Sequence, residues 1–477
     1  MAALSGLSPK RVFEIFEEIS DIPRGSGNMN KIGEYCLDFA KKNELLAYKD
    51  EHGNVVVFKK ASKGYENADT VMLQGHMDIV CQKLAEIEFD FEKEGIKPYI
   101  DGDFVRAKGT TLGADNGIAI AIVMAILEDK SLEHPNLEAV FTVDEEIGLI
   151  GAASIDCSKL KSKKMINIDA EDPKTVTVSC AGGCDFKSFI PVNRVKKQGK
   201  CIKIILKGLK GGHSGIEIDK GRVNADVLAG RVLNHLSLNY DFEIVSINGG
   251  DKGNAITNRC EINILAEETI VESTQKYLEE VKSEIADREE TFDFDIEISD
   301  GEFDVIPFEK SKKIVYLLSC VPDGVVSMSN SIDGLVETSL NLGVVSTEYE
   351  EIMFHFMLRS NKRSALDALV EKLKTFFLAV DCKVDVYGMY YPWEYKANSQ
   401  LQEICKDVYK QNLGFEPEIV AIHAGLECGM FADKMEGLDC VAIGPEILDA
   451  HTTQERVNIS SVENIYECIL QILKKCK

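Results

Sequence analysis

The sequence is short of basic residues and lacks any long apolar segment. It contains 54 Lys and Arg residues against 79 Asp and Glu residues, which gives a formal net charge of −25 at pH 7. Nucleic acids and anionic membranes bind basic surfaces, so we expect neither as a partner and interpret the charge as a solubility feature. The longest apolar run, Ile118 to Leu127, is far shorter than the roughly 20 residues that a membrane-spanning helix needs.

The sequence also lacks a secretory signal and the cysteine spacing of a redox motif. Residues Met1 to Ser5 contain no basic segment followed by an apolar core. Cys180 and Cys184 are separated by three residues rather than two, which disfavours a redox or additional metal role. Because the chain has 14 cysteines and no signal, we expect reduced thiols and a cytoplasmic location.

The chain is too long for a single core, and no low-complexity linker or short repeat marks a boundary. With 477 residues, of which 45% are hydrophobic and 28% charged, it is expected to form two domains. The histidines and carboxylates described below as possible metal ligands precede residue 185 and follow residue 389. We therefore predict a catalytic domain formed by 1–185 and 390–477, interrupted by an inserted domain at 186–389.

Hydrophobic spacing predicts individual elements in the inserted part. Strands are expected at Cys201–Leu206 and Glu351–Leu358. Helices are expected at Lys220–Leu236, where apolar residues recur near the helical period, and at Glu272–Arg288. Strands with helices between them are typical of an α+β domain.

A histidine and an aspartate follow the apolar, β-prone segment Thr70–Leu73. Gly75 interrupts this segment, and His76 and Asp78 come after it. Side chains at positions i and i+2 of an extended chain point in the same direction, so the imidazole and the carboxylate would be aimed at one point. A metal ligand and its supporting carboxylate require this arrangement, although a lone His-x-Asp pair also occurs at ordinary strand ends.

Further acidic residues and a second histidine also follow apolar segments or border them. They are Asp115 before the apolar helix, the pair Glu145 and Glu146, Asp169, and His451 near the C-terminus. An α/β sheet builds its site at the C-terminal ends of its strands. Histidines combined with carboxylates suit zinc, manganese or cobalt. In an adjacent acidic pair, one carboxylate can bind metal while its neighbour acts as general base.

These residues lie in motifs that occur together, and in this order, in a known enzyme family. The motifs are Gly75-His-Met-Asp78, Gly113-Ala-Asp-Asn-Gly117, Asp144-Glu-Glu-Ile-Gly148, Asn167-Ile-Asp-Ala-Glu171, Gly211-Gly-His-Ser-Gly215, His423-Ala-Gly-Leu-Glu-Cys-Gly429 and His451. On these motifs the chain resembles the dinuclear-zinc aminoacyl-histidine dipeptidases of the cytosolic non-specific type, relatives of carnosinases and aminoacylases. The resemblance covers the chain from its N-terminal helix to its last residues. It implies an α/β catalytic domain with a mixed sheet, interrupted by an α+β lid domain.

The resemblance also implies a role for each candidate in the catalytic domain. Glu145 would be the general base, and Asp78 would orient the first histidine ligand. Two divalent ions are implied, with zinc expected and manganese or cobalt as alternatives. Their implied ligands are Asp115 bridging both ions, His76 and Asp169 on one ion, and Glu146 and His451 on the other.

The inserted part would be a lid that closes over the substrate and supports a homodimer. Its glycine-rich loop would bring His213 to the site as a donor to the developing oxyanion, from its own chain or from a partner chain. Arg359 suits the C-terminal carboxylate of a peptide, which a guanidinium binds bidentately. Asn254, His423 and Glu427 are further candidates for substrate contact.

Two classes of function follow from these observations. The first is an enzyme that hydrolyses dipeptides with broad specificity, including Xaa-His, or a variant that removes acyl groups from amino acids with the same metals. The second is a binding or assembly module that has lost its chemistry. The complete ligand and base set argues against the second class, and the His423–Gly429 motif favours the dipeptidase over the deacylase.

Overall fold

The computed structural model describes residues 3–477, which form both α-helices and β-strands. The helices are α1 Lys10–Ser20, α2 Asn30–Lys42, α3 Ala114–Glu128, α4 Ile150–Ser154, α5 Ala225–Ser237, α6 Ile270–Ile285, α7 Phe308–Cys320, α8 Arg363–Leu378, α9 Gln400–Asn412, α10 Glu427–Lys434 and α11 Ile459–Lys475. The strands are β1 Leu46–Lys49, β2 Val55–Lys59, β3 Val71–His76, β4 Pro98–Asp101, β5 Phe104–Ala107, β6 Leu137–Thr142, β7 Lys164–Asn167, β8 Thr175–Cys180, β9 Gly182–Pro191, β10 Val195–Lys207, β11 Gly212–His213, β12 Phe242–Gly249, β13 Ala255–Ile256, β14 Cys260–Ala266, β15 Asp293–Val305, β16 Gly324–Met328, β17 Val336–Thr347, β18 Glu351–Ser360, β19 Lys383–Tyr390, β20 Glu418–Ile422, β21 Asp439–Ala442, β22 Ile447–Leu448 and β23 Arg456–Asn458.

The chain divides into two compact units. The first extends to Cys180 and also contains Tyr395–Ala421 and Leu426–Lys477, while the second consists of Ala181–Glu394 and Ile422–Gly425. The boundaries expected near 185 and 389 fall a few residues inside the second unit, because β9 and the segment after β19 belong to its sheet and loops. Residues 422–425 belong to the second unit although the segments on both sides belong to the first, and no sequence pattern predicted this.

The first unit is built on a mixed sheet with the strand order β1-β2-β6-β3-β7-β21-β8-β20. Strand β3 runs parallel to β6 and β7, and β21 runs parallel to β7, whereas β1 and β2 are antiparallel to their neighbours. Strands β3, β6 and β7 are buried along their whole length, as expected for parallel strands covered on both faces. The predicted α/β class with a mixed sheet is confirmed.

Helix α3 positions one of the candidate ligands. Its residues Ile118 to Leu127 are all buried, because a helix that is apolar on every side must lie inside the protein. It begins at Ala114, before the apolar run that predicted it, and Gly113 precedes it with φ 71°. Asp115 and Asn116 depart from helical dihedral angles, so the first turn presents them at the end of the helix.

The second unit contains a long antiparallel sheet with the strand order β15-β10-β14-β12-β17-β18-β9-β19, to which β16 adds beside β17. In β18, buried and partly exposed residues alternate, so one face packs on the core. Strands β10 and β15 pair from Val195 opposite Val305 to Lys207 opposite Asp293. The predicted strand at 201–206 was too short because the exposed polar residues that begin β10 give no apolar signal.

Helix α5 begins later than the sequence pattern predicted. The predicted start was Lys220, but the helix starts at Ala225, where the Asn224 side chain accepts hydrogen bonds from the backbone N–H groups of Asp226 and Val227. This is an ordinary N-cap arrangement, and it sets the first residue of the helix although the apolar spacing begins before it. Across residues 3–477, no helix combines the length and the apolar character needed to cross a membrane.

Candidate metal centre

Three parallel strands bring candidate ligands to the same edge of the first unit's sheet. Strand β3 ends at His76, and its neighbours β6 and β7 are in register with it along the same direction. Glu146 follows β6, and Asp169 follows β7. The C-terminal ends of parallel neighbours coincide, so the three side chains are brought together although they are distant in the sequence.

Asp115 lies between two histidines. Its Oδ1 is 3.1 Å from His76 Nε2, and its Oδ2 is 2.9 Å from His451 Nε2. His76 Nε2 is also 3.4 Å from Asp169 Oδ1, and His451 Nε2 is 3.1 Å from Glu146 Oε1. The five candidate ligands therefore form one connected cluster. His76 and Asp169 lie on the side of Asp115 Oδ1, and His451 and Glu146 lie on the side of Asp115 Oδ2.

The donor atoms of this cluster fit divalent metal ions. His76, Asp115 and Glu146 each offer one ligand atom, and these atoms lie within 4.8 Å of one another. Glu146 Oε1 is buried and has no aligned hydrogen-bond donor among the described residues, although His451 is nearby. A buried carboxylate oxygen without a donor is costly unless a cation binds it. The residues present thus suit the two ions that the resemblance implies.

The electrostatics of the cluster also favour bound cations. Burial, together with the neighbouring charges of Asp115 and Glu146, raises the pKa of Asp169 to about 6. The adjacent carboxylates of Asp115 and Glu146 raise the pKa of His451 to about 11. Burial opposes protonation of His76, but Asp169 and the other carboxylates still raise its pKa well above the ordinary value. Several carboxylates converge here, and they stabilise positive charge placed among them.

Asp78 organises two ligand segments at once. Its side chain is fully buried, 3.4 Å from His76 Nδ1. The same carboxylate accepts hydrogen bonds from the backbone N–H groups of Glu145 at 3.0 Å and Glu146 at 3.2 Å, and from the Ser26 hydroxyl at 2.9 Å. The sequence predicted contact with His76. Its hydrogen bonds to the Glu145–Glu146 turn depend on tertiary structure and could not be predicted from the sequence.

Asn116 is a supporting residue that the sequence reasoning missed. Its amide donates to Asp169 Oδ1 at 2.7 Å and to the Ile168 carbonyl at 2.7 Å, and its Oδ1 accepts from the His76 N–H at 3.2 Å. It therefore ties two ligands of the same predicted ion together. Its position beside Asp115, inside a glycine-bounded polar turn, was the available signal.

Glu145 is placed to hold a proton. Burial raises its pKa to about 9, while His76 acts in the opposite direction and the charges of Asp169, Glu427 and Glu146 add to the rise. A carboxyl group whose pKa is raised by its surroundings is suited to accept a proton and release it again.

Glu427 lies beneath the ends of the strands that carry the ligands. It lies in the first unit, is fully buried, and accepts hydrogen bonds from the Gln74 amide and, at 2.7 Å, from the Thr142 hydroxyl. The motif suggested proximity to the ligands but carried no information about burial. Its Oε1 has no hydrogen-bond partner among the described residues, and the substrate contact of Glu427 stays a prediction.

His423 belongs to the second unit and is also engaged internally. Its Nε2 is 2.7 Å from Ser339 Oγ, and its Nδ1 is 3.1 Å from Asn361 Oδ1. Burial and the charge of Arg359 lower its pKa to about 3, so the ring is neutral. Both ring nitrogens therefore have partners within the second unit, and the substrate contact of His423 stays a prediction.

Arg359 has the features expected of an anion-binding residue. It is 5% exposed, and its Nη1 donates to the Tyr390 hydroxyl at 3.1 Å. Its Nε is buried and has no acceptor in the part of the chain that the structure describes. A guanidinium N–H buried without an acceptor can bind a carboxylate from outside the protein.

His213 is held as a hydrogen-bond donor. Its Nδ1 accepts from the N–H groups of Gly215 at 3.1 Å and Ile216 at 3.3 Å, which places the ring proton on Nε2. Burial, with the charge of Arg359, lowers its pKa and keeps the ring neutral. Asn254 is exposed on the neighbouring segment, where its carbonyl accepts from Ser214 N at 3.0 Å.

Comparisons with known proteins agree with these motifs. The chain matches Peptidase family M20/M25/M40 over residues 72–475. It is 35% identical to the cytosol non-specific dipeptidase of Escherichia coli strain K12 over 481 residues, which cover 100% of this chain and 99% of the relative. The crystal structure of aminoacylhistidine dipeptidase from Vibrio alginolyticus matches with a TM-score of 0.92 and 33% identity, covering 99% of this chain and 98% of that chain.

A more distant structure shares the fold. An aminopeptidase from Bacillus cereus matches with a TM-score of 0.58 and 16% identity, covering 98% of this chain and 99% of that chain. The chain belongs to Peptidase family M20/M25/M40, and the resemblance inferred from the motifs is confirmed.

Proposed function

We propose that this chain is a dinuclear metal-dependent dipeptidase with broad specificity that includes Xaa-His. The observation that carries the proposal is the position of Asp115, whose two oxygens contact His76 and His451 separately. A carboxylate with one oxygen directed to each half of a ligand set is suited to bridge two ions. The full-length relatives from Escherichia coli and Vibrio alginolyticus are a non-specific dipeptidase and an aminoacylhistidine dipeptidase, which supports this substrate class.

The proposed ions are zinc, with manganese or cobalt as alternatives. When bound, they lower the pKa of a water molecule and polarise the scissile carbonyl. Glu145 takes a proton from the attacking water and then delivers it to the nitrogen of the leaving amine. Asp78 keeps His76 and the Glu145–Glu146 turn in fixed orientations throughout the reaction.

Two residues of the second unit are proposed to recognise the dipeptide. Arg359 binds the C-terminal carboxylate, which would supply the missing acceptor for its buried Nε. His213 donates from Nε2 to the oxyanion that forms when water attacks the carbonyl. Asn254 lies beside His213 and remains a candidate for contact with the same substrate.

We also propose a cytoplasmic homodimer, with the second unit acting as lid and dimerisation domain. The cytosolic relative supports the location, as do the free thiols of all 14 cysteines among the described residues. No nucleic acid or membrane partner is proposed, because the acidic charge of the chain disfavours both.

An assay on three substrate classes tests the proposed function. Metal-loaded protein should hydrolyse a panel of free dipeptides, including Xaa-His, and act poorly on tripeptides and N-acyl amino acids. All three classes carry the free C-terminal carboxylate that Arg359 is proposed to bind. They differ on the amino side of the scissile bond, where a dipeptide has one residue with a free α-amino group, an N-acyl amino acid has an acyl group and a tripeptide has either two residues or a longer leaving group. Preferential hydrolysis of N-acyl amino acids would instead make the chain a deacylase, and no turnover of any class would favour a binding module.

Replacing His213 with Ala tests the oxyanion donor. We expect a loss of about 3 kcal/mol of transition-state stabilisation, the usual contribution of one such donor, which corresponds to roughly a hundredfold loss of rate. The loss should appear in kcat rather than KM, because the oxyanion exists only after water attacks. Metal content should not change. An unchanged kcat would show that His213 is an ordinary loop residue.

Mixing two inactive variants decides which chain supplies His213. If the loop acts on a partner chain, heterodimers of Glu145→Gln and His213→Ala contain one intact site and regain activity. Heterodimers formed at measured yield without activity would place His213 in its own chain. The assay needs differently tagged chains, so that the heterodimer can be isolated before turnover is measured.

A further inference from the structure

Glu455 holds the backbone around the bridging Asp115. It is 3% exposed and lies on the same loop as the ligand His451. Its Oε2 accepts from the N–H groups of Leu112 at 2.7 Å and Gly113 at 2.9 Å, and its Oε1 accepts from those of Ala114 at 2.8 Å and Asp115 at 3.2 Å. One side chain thus satisfies four consecutive amides at the start of α3.

Arg24 donates hydrogen bonds to a backbone carbonyl of the same turn. Its guanidinium is 2% exposed and donates to the Gly113 carbonyl at 2.6 Å and to the Met77 carbonyl at 3.0 Å. Met77 stands between His76 and Asp78. Arg24 therefore fastens the segment that carries the first histidine to the segment that carries Asp115.

The glycines of this turn make room for Arg24. A Cβ added at Gly113 would lie 2.9 Å from Arg24 Nη2, and one at Gly117 would lie 2.3 Å from the same atom. Burial lowers the pKa of Arg24 to about 10, so its guanidinium is still charged at neutral pH. The negative charge of Glu455 is the first of the neighbouring charges that oppose this lowering.

We infer that Arg24 and Glu455 are positioning residues that fix three ligand-bearing segments relative to one another. These segments are His76–Asp78, Leu112–Asp115 and His451–Glu455. The inference rests on the ligand set proposed above. The three segments are far apart in the sequence, and neither residue is itself placed among the ligands. Their bonds set the spacing of the ligand atoms before any ion binds, so they control the affinity for metal.

A conservative substitution of Glu455 tests the inference. Glu455→Gln keeps the size of the side chain but leaves one acceptor oxygen, so two of the four amides lose their partner. We expect the affinity for Zn²⁺, measured by competition with a chelator, to fall by about 10- to 100-fold, the range found for groups that support metal ligands. The visible spectrum of Co²⁺-loaded protein should change as well, because the ligand geometry is altered.

Glu138→Gln is the matched control. Glu138 is 3% exposed in the same unit and accepts from the N–H groups of Lys161 and Ser162 and from the Ser162 hydroxyl. It lies near the start of β6, whereas the ligands follow the end of that strand. This variant should lose thermal stability and keep the Zn²⁺ affinity and the Co²⁺ spectrum of the unchanged protein.

Arg24→Lys provides a second measurement if Glu455→Gln does not fold. A lysine ammonium cannot span the two carbonyls as the planar guanidinium does, so we expect a loss of Zn²⁺ affinity here too. Affinity and spectrum equal to those of Glu138→Gln, in whichever variant folds, would overturn the inference. The number of ions bound by the unchanged protein separately tests the ligand set, since the comparison between variants does not depend on it.

Discussion

Replacing Glu145 with Gln is expected to reduce turnover of an Xaa-His dipeptide by about 10²- to 10⁴-fold, the usual contribution of a positioned general base. Glutamine keeps the size of the side chain but cannot accept the proton of the attacking water. The protein should still bind its metal ions, because Glu145 is not one of the proposed ligands. Steady-state kinetics together with elemental analysis of the purified variant provide the measurement.

Asp144→Asn is the control for this substitution. Asp144 is the neighbouring carboxylate, and its Oδ1 accepts from the Gly27 N–H at 2.6 Å rather than contacting the ligand cluster. The substitution removes one negative charge beside the site and leaves the base in place, and asparagine tolerates the positive φ of 52° at this position. Turnover should therefore be nearly normal. Equal turnover in Glu145→Gln and in the unchanged protein would show that another group accepts the proton.

Removing Asp115 should abolish both metal binding and activity. The unchanged protein is expected to bind about two divalent ions per chain after metal loading, in line with a shared bridging ligand. Asp115→Ala removes the carboxylate that contacts both halves of the ligand set, so neither ion should remain after desalting. Elemental analysis of matched preparations gives the ion count directly.

His451→Ala is the comparison that separates a bridge from an ordinary ligand. His451 contacts Asp115 and Glu146, the half of the cluster proposed for one ion. Its removal should leave the ion held by His76, Asp115 and Asp169 in place. If Asp115→Ala and His451→Ala each retain one ion, Asp115 serves a single metal and the proposed bridge is wrong. One ion at saturation in the fully active unchanged protein would contradict the dinuclear proposal itself.

The arrangement of the ligand cluster was predictable because simple geometry determines it. His76 comes at the end of a buried parallel strand, and Asp169 follows a neighbouring strand that runs the same way. Parallel register alone brings such ends together. The structure accordingly brings the five candidate ligands into contact. His451 required the family resemblance as well, because an exposed loop histidine has no periodic signal.

Burial and tertiary partners were not predictable from the same patterns. Glu427 and His423 share one motif, yet one is buried in the first unit and the other is hydrogen-bonded within the second. No sequence pattern distinguishes Arg24 and Glu455 from other isolated charged residues, which are usually solvated. Their importance appears only when the backbone groups they contact are known.

Strand β21 fills the position between β7 and β8 although it is synthesised long after both. Both sheet neighbours of β8, β20 and β21, come from the C-terminal part of the chain. A nascent chain that has reached the second unit therefore carries unpaired strand edges in its first half, and such edges promote aggregation. The second unit is nearly continuous in sequence, so its strands are all synthesised before β20 and β21 complete the sheet of the first unit. A product truncated before residue 439 would consequently be prone to aggregate as well as inactive.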